Sequence, residues 1–224
     1  MMCIPYIQLI LLFLFTVSVS SAQTIGEHLP QRISKSQKYL FYLHGAVVTE
    51  LGNNAINQSV PEWGPYEYLN ILDSLRWRGF NVISEIRKKG VDNAVYSKKI
   101  ISQVDSLRKA GVPIQNIVVV GASAGWDIAL NVSSAVKDKR LNVVIMGGCW
   151  PETYKEYSGT PLYGRFLSII EKTDPHGSCA KIFEGRKTLS DYKEIMLATG
   201  LSHGFIYKGY REWVDPLVAW MNRK

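Results

Sequence analysis

The sequence predicts an α/β fold, with a mostly parallel central sheet and helices on both faces. Short apolar runs alternate along the chain with stretches whose apolar residues recur at helical spacing. Parallel strands joined by crossover helices produce that pattern. In addition, a glycine-bracketed turn, Gly121-Ala122-Ser123-Ala124-Gly125, links the apolar run Ile117-Val118-Val119-Val120 to a stretch that reads as helix from Trp126 onward. At 224 residues, the chain has room for one domain with a full core and little room for a second.

The elements follow in order. Lys38 to Leu43 gives the first strong strand, ending at His44-Gly45. A long polar loop is expected from Ala46 to Gly64, with Gly52-Asn53-Asn54 as turn material. Pro65 suits the first turn of a helix, and Tyr68, Ile71, Leu72 and Leu75 then repeat at helical spacing up to Gly79. Asn81 to Ile86 reads as the next strand. Tyr96, Ile100, Val104 and Leu107 mark a helix stopped by Gly111 and Pro113. The strand at Ile117 to Val120 leads into a helix over about Ala124 to Val136. Further strands are expected at Leu141 to Met146, Phe166 to Ile170 and Glu194 to Ala198. Tyr210 to Met221 closes the chain as a helix that Pro216 is expected to break or bend.

Residues 1–22 stand apart. Ile4 to Val19 is almost wholly apolar, and Ser20-Ser21-Ala22 offers a small-x-small cleavage pattern. A signal peptide over 1–22 and a folded domain over 23–224 are therefore expected, with secretion or periplasmic export. The alternative is an uncleaved anchor, against which the apolar run is shorter than the roughly 20 residues of a spanning helix. No stable membrane span is expected after cleavage. Cleavage would leave Cys149 and Cys179, which an oxidising compartment lets pair; two free thiols are the other possibility. The net charge is +7, but its Lys and Arg are scattered and no nucleic-acid motif surrounds them, so no nucleic-acid partner is expected.

A G-x-S-x-G between a buried strand and a helix is the signature of a nucleophile elbow. A serine hydroxyl is a poor nucleophile until a base removes its proton. In such an architecture Ser, an acid and His follow one another at the carboxyl ends of successive strands. Ser123, Asp174 and His203 fall in that order, the last in a glycine-flanked loop, Gly200-Leu201-Ser202-His203-Gly204. Glu171 is the alternative acid. Two backbone N–H groups must meet the developing oxyanion; Ala124 follows the nucleophile, and the turn after the first strand supplies Ala46, with Gly45 as the alternative.

These features together resemble the α/β-hydrolase superfamily, over nearly all of the chain after residue 22. The stretch Leu167-Ser168-Ile169-Ile170-Glu171-Lys172-Thr173-Asp174, with Ser178-Cys179 and Gly200 to Phe205, is similar to small exported bacterial members of uncharacterised substrate. The resemblance implies an α/β-hydrolase fold with shortened N-terminal strands and no large cap domain. It also implies an acyl-enzyme mechanism on a small-molecule ester or amide. Ala46-Val47-Val48 stands where hormone-sensitive-type lipases carry a glycine-rich turn, which argues against bulky tertiary-alcohol esters. Trp63, Trp126 and Trp150 are candidates for an apolar acyl pocket or for the core. Nothing in the sequence calls for a cofactor or a metal: no H-x-x-x-H or Cys-His ligand spacing occurs. A non-catalytic binding protein on the same fold is the competing class.

Overall fold

The structure is a computed structural model that describes residues 22–57, 59, 60 and 62–223. Apart from Ala22, the predicted signal peptide lies outside the described residues. The elements in chain order are β1 (Ile25–Gly26), β2 (Lys38–Leu43), α1 (Ala46–Leu51), α2 (Asn53–Asn57), β3 (Ser59–Val60), β4 (Gly64–Pro65), α3 (Tyr68–Trp77), β5 (Phe80–Ile83), α4 (Asn93–Lys109), β6 (Ile117–Ala122), α5 (Gly125–Val136), β7 (Asn142–Met146), α6 (Tyr154–Ser158), β8 (Gly164–Glu171), α7 (Ala180–Phe183), β9 (Leu189–Leu197) and α8 (Arg211–Asn222).

Seven strands form one sheet in the order β1-β5-β2-β6-β7-β8-β9. Every pair in it is parallel. The strands alternate strictly, as a sheet buried on both faces requires. Tyr39, Phe41, Leu43, Ile117, Val119, Val143 and Ile145 point to one face and pack with α4 and α5. Leu40, Tyr42, Val118, Val120, Val144 and Met146 point to the other and pack with α3 and α8. The predicted architecture is therefore present, and its leading strand is reduced to the two residues of β1.

The stretch from Ala46 to Gly64 is not the polar loop that its composition suggests. It holds α1, α2 and the small antiparallel β3–β4 hairpin. The two helices are too short to display a periodic apolar face; among the described side chains, Val48 of α1 and Ala55 of α2 are buried. Pro65 pairs with Ser59 in that hairpin rather than opening α3. Nor does Pro216 break α8: the helix runs through it with Trp213, Val214, Leu217, Trp220 and Met221 buried. Their burial offsets the roughly 3 kcal/mol that an interior proline costs.

A parallel sheet brings the carboxyl ends of its strands to one edge. The chain leaves β2 for β5 on one side and then crosses back over β2 to β6, so the winding reverses between β2 and β6. In open α/β sheets, that reversal leaves a crevice outside the strand ends where ligands bind.

Candidate active site

Ser123 follows β6 directly at the reversal point. Its backbone is left-handed, with φ 48°, a conformation that is sterically costly for a residue with a Cβ. The flanking sequence makes the turn possible. A Cβ on Gly121 would lie 2.6 Å from the Cα of Trp126, and one on Gly125 would lie 2.1 Å from the carbonyl oxygen of Leu43. The Ser123 N–H donates to the Met146 carbonyl at 2.8 Å, and the Ser123 carbonyl accepts from Trp126 N at 2.9 Å. The turn is thereby tied to both β7 and α5.

Across the crevice, Gly45 lies so close that a Cβ there would sit 3.0 Å from the Ser123 Cβ. Gly45 caps α1, and Ala46 is that helix's first residue, whose N–H has no intrahelical acceptor. Ala124 is the N-cap of α5. The two candidate oxyanion donors thus belong to helix starts on opposite sides of the crevice. His44 anchors the Gly45 side. Its Nε2 accepts the backbone N–H of Arg87 at 3.0 Å, so Nδ1 carries the proton and donates to the Gly45 carbonyl at 2.9 Å. The buried Arg87 guanidinium also bonds the His44 carbonyl. Burial, with that cation beside it, lowers His44 to about 3.

The sequence-predicted acid and base meet the serine. His203 Nε2 lies 2.9 Å from Ser123 Oγ, and His203 Nδ1 lies 2.8 Å from Asp174 Oδ2. A carboxylate only accepts, so Nδ1 is the protonated nitrogen and Nε2 offers its lone pair to the serine hydroxyl. All three residues are nearly buried: Ser123 is 9 %, Asp174 6 % and His203 8 % exposed. Burial acts to raise the Asp174 carboxyl. Hydrogen bonds from His176 and His203 outweigh it, holding the group well below the usual carboxylate range.

Glu171, the alternative acid, is engaged elsewhere. Buried at the end of β8, it accepts from the Thr199 N–H at 3.0 Å, the Thr199 hydroxyl at 2.8 Å, the Gly200 N–H at 3.2 Å and the Thr173 hydroxyl at 3.2 Å. Burial works upward here too, and the Thr199 and Gly200 donors bring the carboxyl below its ordinary value. Glu171 therefore braces the loop that carries His203 rather than the imidazole itself.

Two features escaped the sequence reading. His176 donates to the second Asp174 oxygen, from Nδ1 at 2.6 Å and from its backbone N–H at 3.1 Å. Gly147, after β7, has φ 54° and leaves room that a Cβ would take away: it would lie 2.9 Å from His203 Cε1 and 3.3 Å from Asp174 Oδ2. The pairing that the sequence offered is present: Cys149 and Cys179 are bonded, with their Cα atoms 5.2 Å apart, which ties the segment after Asp174 to the loop after β7. Of the three tryptophans, Trp126 is core, packed against Trp150 and Tyr157. Trp63 and Trp150 are half-buried and flank the two imidazoles, Trp63 at 5.7 Å from His203 and Trp150 at 5.2 Å from His176, between ring centres.

Among solved structures, SOBER1 of Arabidopsis thaliana superposes with a TM-score of 0.53 at 13% identity, covering 84% of this chain and 99% of that one. The fold is that of the α/β-hydrolases. At such low identity the likeness concerns the fold alone. A thioesterase domain from the curacin biosynthetic pathway matches with a TM-score of 0.47 at 10% identity, covering 86% of this chain and 93% of that one. RedJ, with a PEG molecule bound in its active site, matches with a TM-score of 0.47 at 12% identity, covering 92% and 98%. No protein-family profile matches the sequence, and no curated protein matches it. On this fold the serine occupies the turn between a central strand and the following helix.

Proposed function

We propose that the chain is an exported serine hydrolase that cleaves carboxylic esters through an acyl-enzyme. The observation that carries this reading is the unbroken line of hydrogen bonds Ser123 Oγ–His203 Nε2 and His203 Nδ1–Asp174 Oδ2, with the serine held on a left-handed turn at the sheet's reversal point.

In the proposed reaction, Ser123 Oγ attacks the ester carbonyl carbon while His203 Nε2 takes the hydroxyl proton. Asp174 accepts the hydrogen bond of the His203 Nδ1–H, fixes the ring and stabilises the imidazolium. The carbonyl oxygen gains negative charge and meets the N–H groups of Ala46 and Ala124, each donor contributing about 2.7–4 kcal/mol to the transition state. As the tetrahedral adduct collapses, the imidazolium delivers its proton to the departing alkoxide. Water, deprotonated by the same nitrogen, then attacks the acyl-enzyme and releases the acid.

Export is supported by the apolar run and small-residue site over 1–22 and by the Cys149–Cys179 bond, which suits an oxidising compartment. Among the described residues, no helix is long and apolar enough to cross a membrane.

A fluorophosphonate probe is expected to label the native protein and to leave Ser123→Ala unlabelled. Folded native protein that takes no label would favour the binding-protein class. A series of p-nitrophenyl esters of rising chain length, run beside aminoacyl amides, tests the ester assignment; faster turnover of the amides would overturn it. N-terminal sequencing of secreted protein is expected to begin at Gln23.

A further inference from the structure

The Asp174 carboxylate holds two imidazoles, one on each oxygen. Oδ2 takes the N–H of His203, and Oδ1 takes the N–H of His176 together with its backbone N–H. The two rings lie nearly face to face, 4.6 Å between centres and tilted by 32°. Trp150 supports His176 from behind, and the disulfide at Cys149 secures the chain next to Trp150. The hydrolytic chemistry above uses only one of these imidazoles. A backbone N–H and the Cys149–Cys179 link already shape the Asp174 loop, so the second side-chain donor is not required to form it.

We propose that His176 is a positioning residue of the hydrolytic site, one that locks the rotation of the Asp174 carboxylate and tempers the basicity of His203. The inference rests on the serine hydrolase reading. Its physical basis is the division of one negative charge. A carboxylate whose second oxygen is engaged by a donor presents less free charge to the first imidazole, so the imidazolium of His203 is less favoured. A carboxylate anchored at both oxygens also cannot swing about its Cβ–Cγ bond, which keeps Nδ1 on one acceptor and Nε2 aimed at the serine.

The surroundings leave few other contributors. His176 comes from the carboxylate's own loop and His203 from the loop after β9. The Ser123 hydroxyl, from the turn after β6, meets His203. Gly147 fills the β7 side without an ionisable group, and Trp63 covers His203 from the hairpin side. Glu171, at the end of β8, is occupied by Thr199, Gly200 and Thr173.

The test uses His176→Leu, which keeps an apolar contact for Trp150, and His176→Asn, whose side-chain N–H stands near the position of Nδ1. In His176→Leu, kcat on a p-nitrophenyl ester is expected to fall about ten-fold with KM little changed. The acid limb of kcat/KM is expected to move up by about half a pH unit to one unit. His176→Asn should restore most of kcat and return the limb towards the native position. An NMR titration of the His203 imidazole, assigned by its loss in His203→Gln, should show the same ordering without depending on turnover. A native protein without turnover would count against the hydrolase reading, and the titration would still decide the role of His176. An unmoved His203 midpoint in folded His176→Leu overturns the proposal. So does a loss of kcat that tracks melting temperature with the acid limb unmoved.

Discussion

Glu171 and Asp174 stand three positions apart at the same end of the sheet. Both are buried, and both carboxyls lie below their ordinary pKa. They differ in what they hold. Glu171 gathers the backbone and hydroxyl donors of Thr199 and Gly200, groups that cannot take up a proton. Asp174 gathers two imidazoles, groups that can. Burial and depressed pKa alone therefore do not separate a bracing acid from one coupled to proton transfer. The partners do.

The sharpest way to break this comparison is to neutralise each acid in turn. Asp174→Asn is expected to cut kcat about 10⁴-fold by upsetting the His203 tautomer, with a small change in melting temperature. If Glu171→Gln abolished turnover and Asp174→Asn kept it, the two assignments would exchange. Steady-state kinetics beside thermal melts decide the matter.

Next in size is the tether. Cys179 joins the Asp174 side of this segment to Cys149 across 30 positions, and nothing comparable holds Glu171. Reducing that bond is expected to cost about 3.7 kcal/mol of stability in the chain-entropy picture. It should also lower kcat while the Glu171 brace stays intact. Urea unfolding and turnover, each with and without reductant, measure the two effects.

Glu171→Gln should act mainly on stability, by about 1–3 kcal/mol, because it disturbs a buried carboxylate with several donors. Its kcat is expected to change by only about three-fold at most. The effect has a defined pH dependence. A carboxyl whose folded pKa is depressed adds stability that is present above its unfolded value, about 4, and is lost as pH falls through the lower folded value. The urea-midpoint gap between native protein and Glu171→Gln should therefore hold steady from neutral pH down to about pH 5 and close at lower pH. His44, buried as the neutral imidazole, destabilises both proteins equally on acidification and cancels from the gap. A gap that widened on acidification would contradict the brace.

Much of this arrangement was legible in the sequence where local chemistry dictates it. The run Ile117 to Val120 reads as a buried strand, Gly121 and Gly125 bracket a sharp turn at Ser123, and the order of Ser123, Asp174 and His203 along successive strands places them at one end of the sheet. The helices α1 and α2 were not legible, because elements of six and five residues are too short to show a helical period. The α8 helix forms over nearly the range its spacing predicts and is not broken at Pro216, since tertiary burial outweighs a local preference. His176, Gly147 and the Glu171 brace were hidden for a different reason. Gly147 and Glu171 acquire their roles from partners on other loops, and the bond of His176 to Asp174, two residues away, depends on how that loop folds; spacing along the chain encodes none of these.

The left-handed backbone at Ser123 carries one more consequence. A glycine there would sit at ease in the turn, without the roughly 1–3 kcal/mol of conformational strain typical of such positions. On the proposed reading, thermodynamic comfort and nucleophilic reach thus pull in opposite directions at a single residue, and a screen that rewarded heat resistance alone would be drawn towards Ser123→Gly, a fold more at rest that lacks the proposed nucleophile.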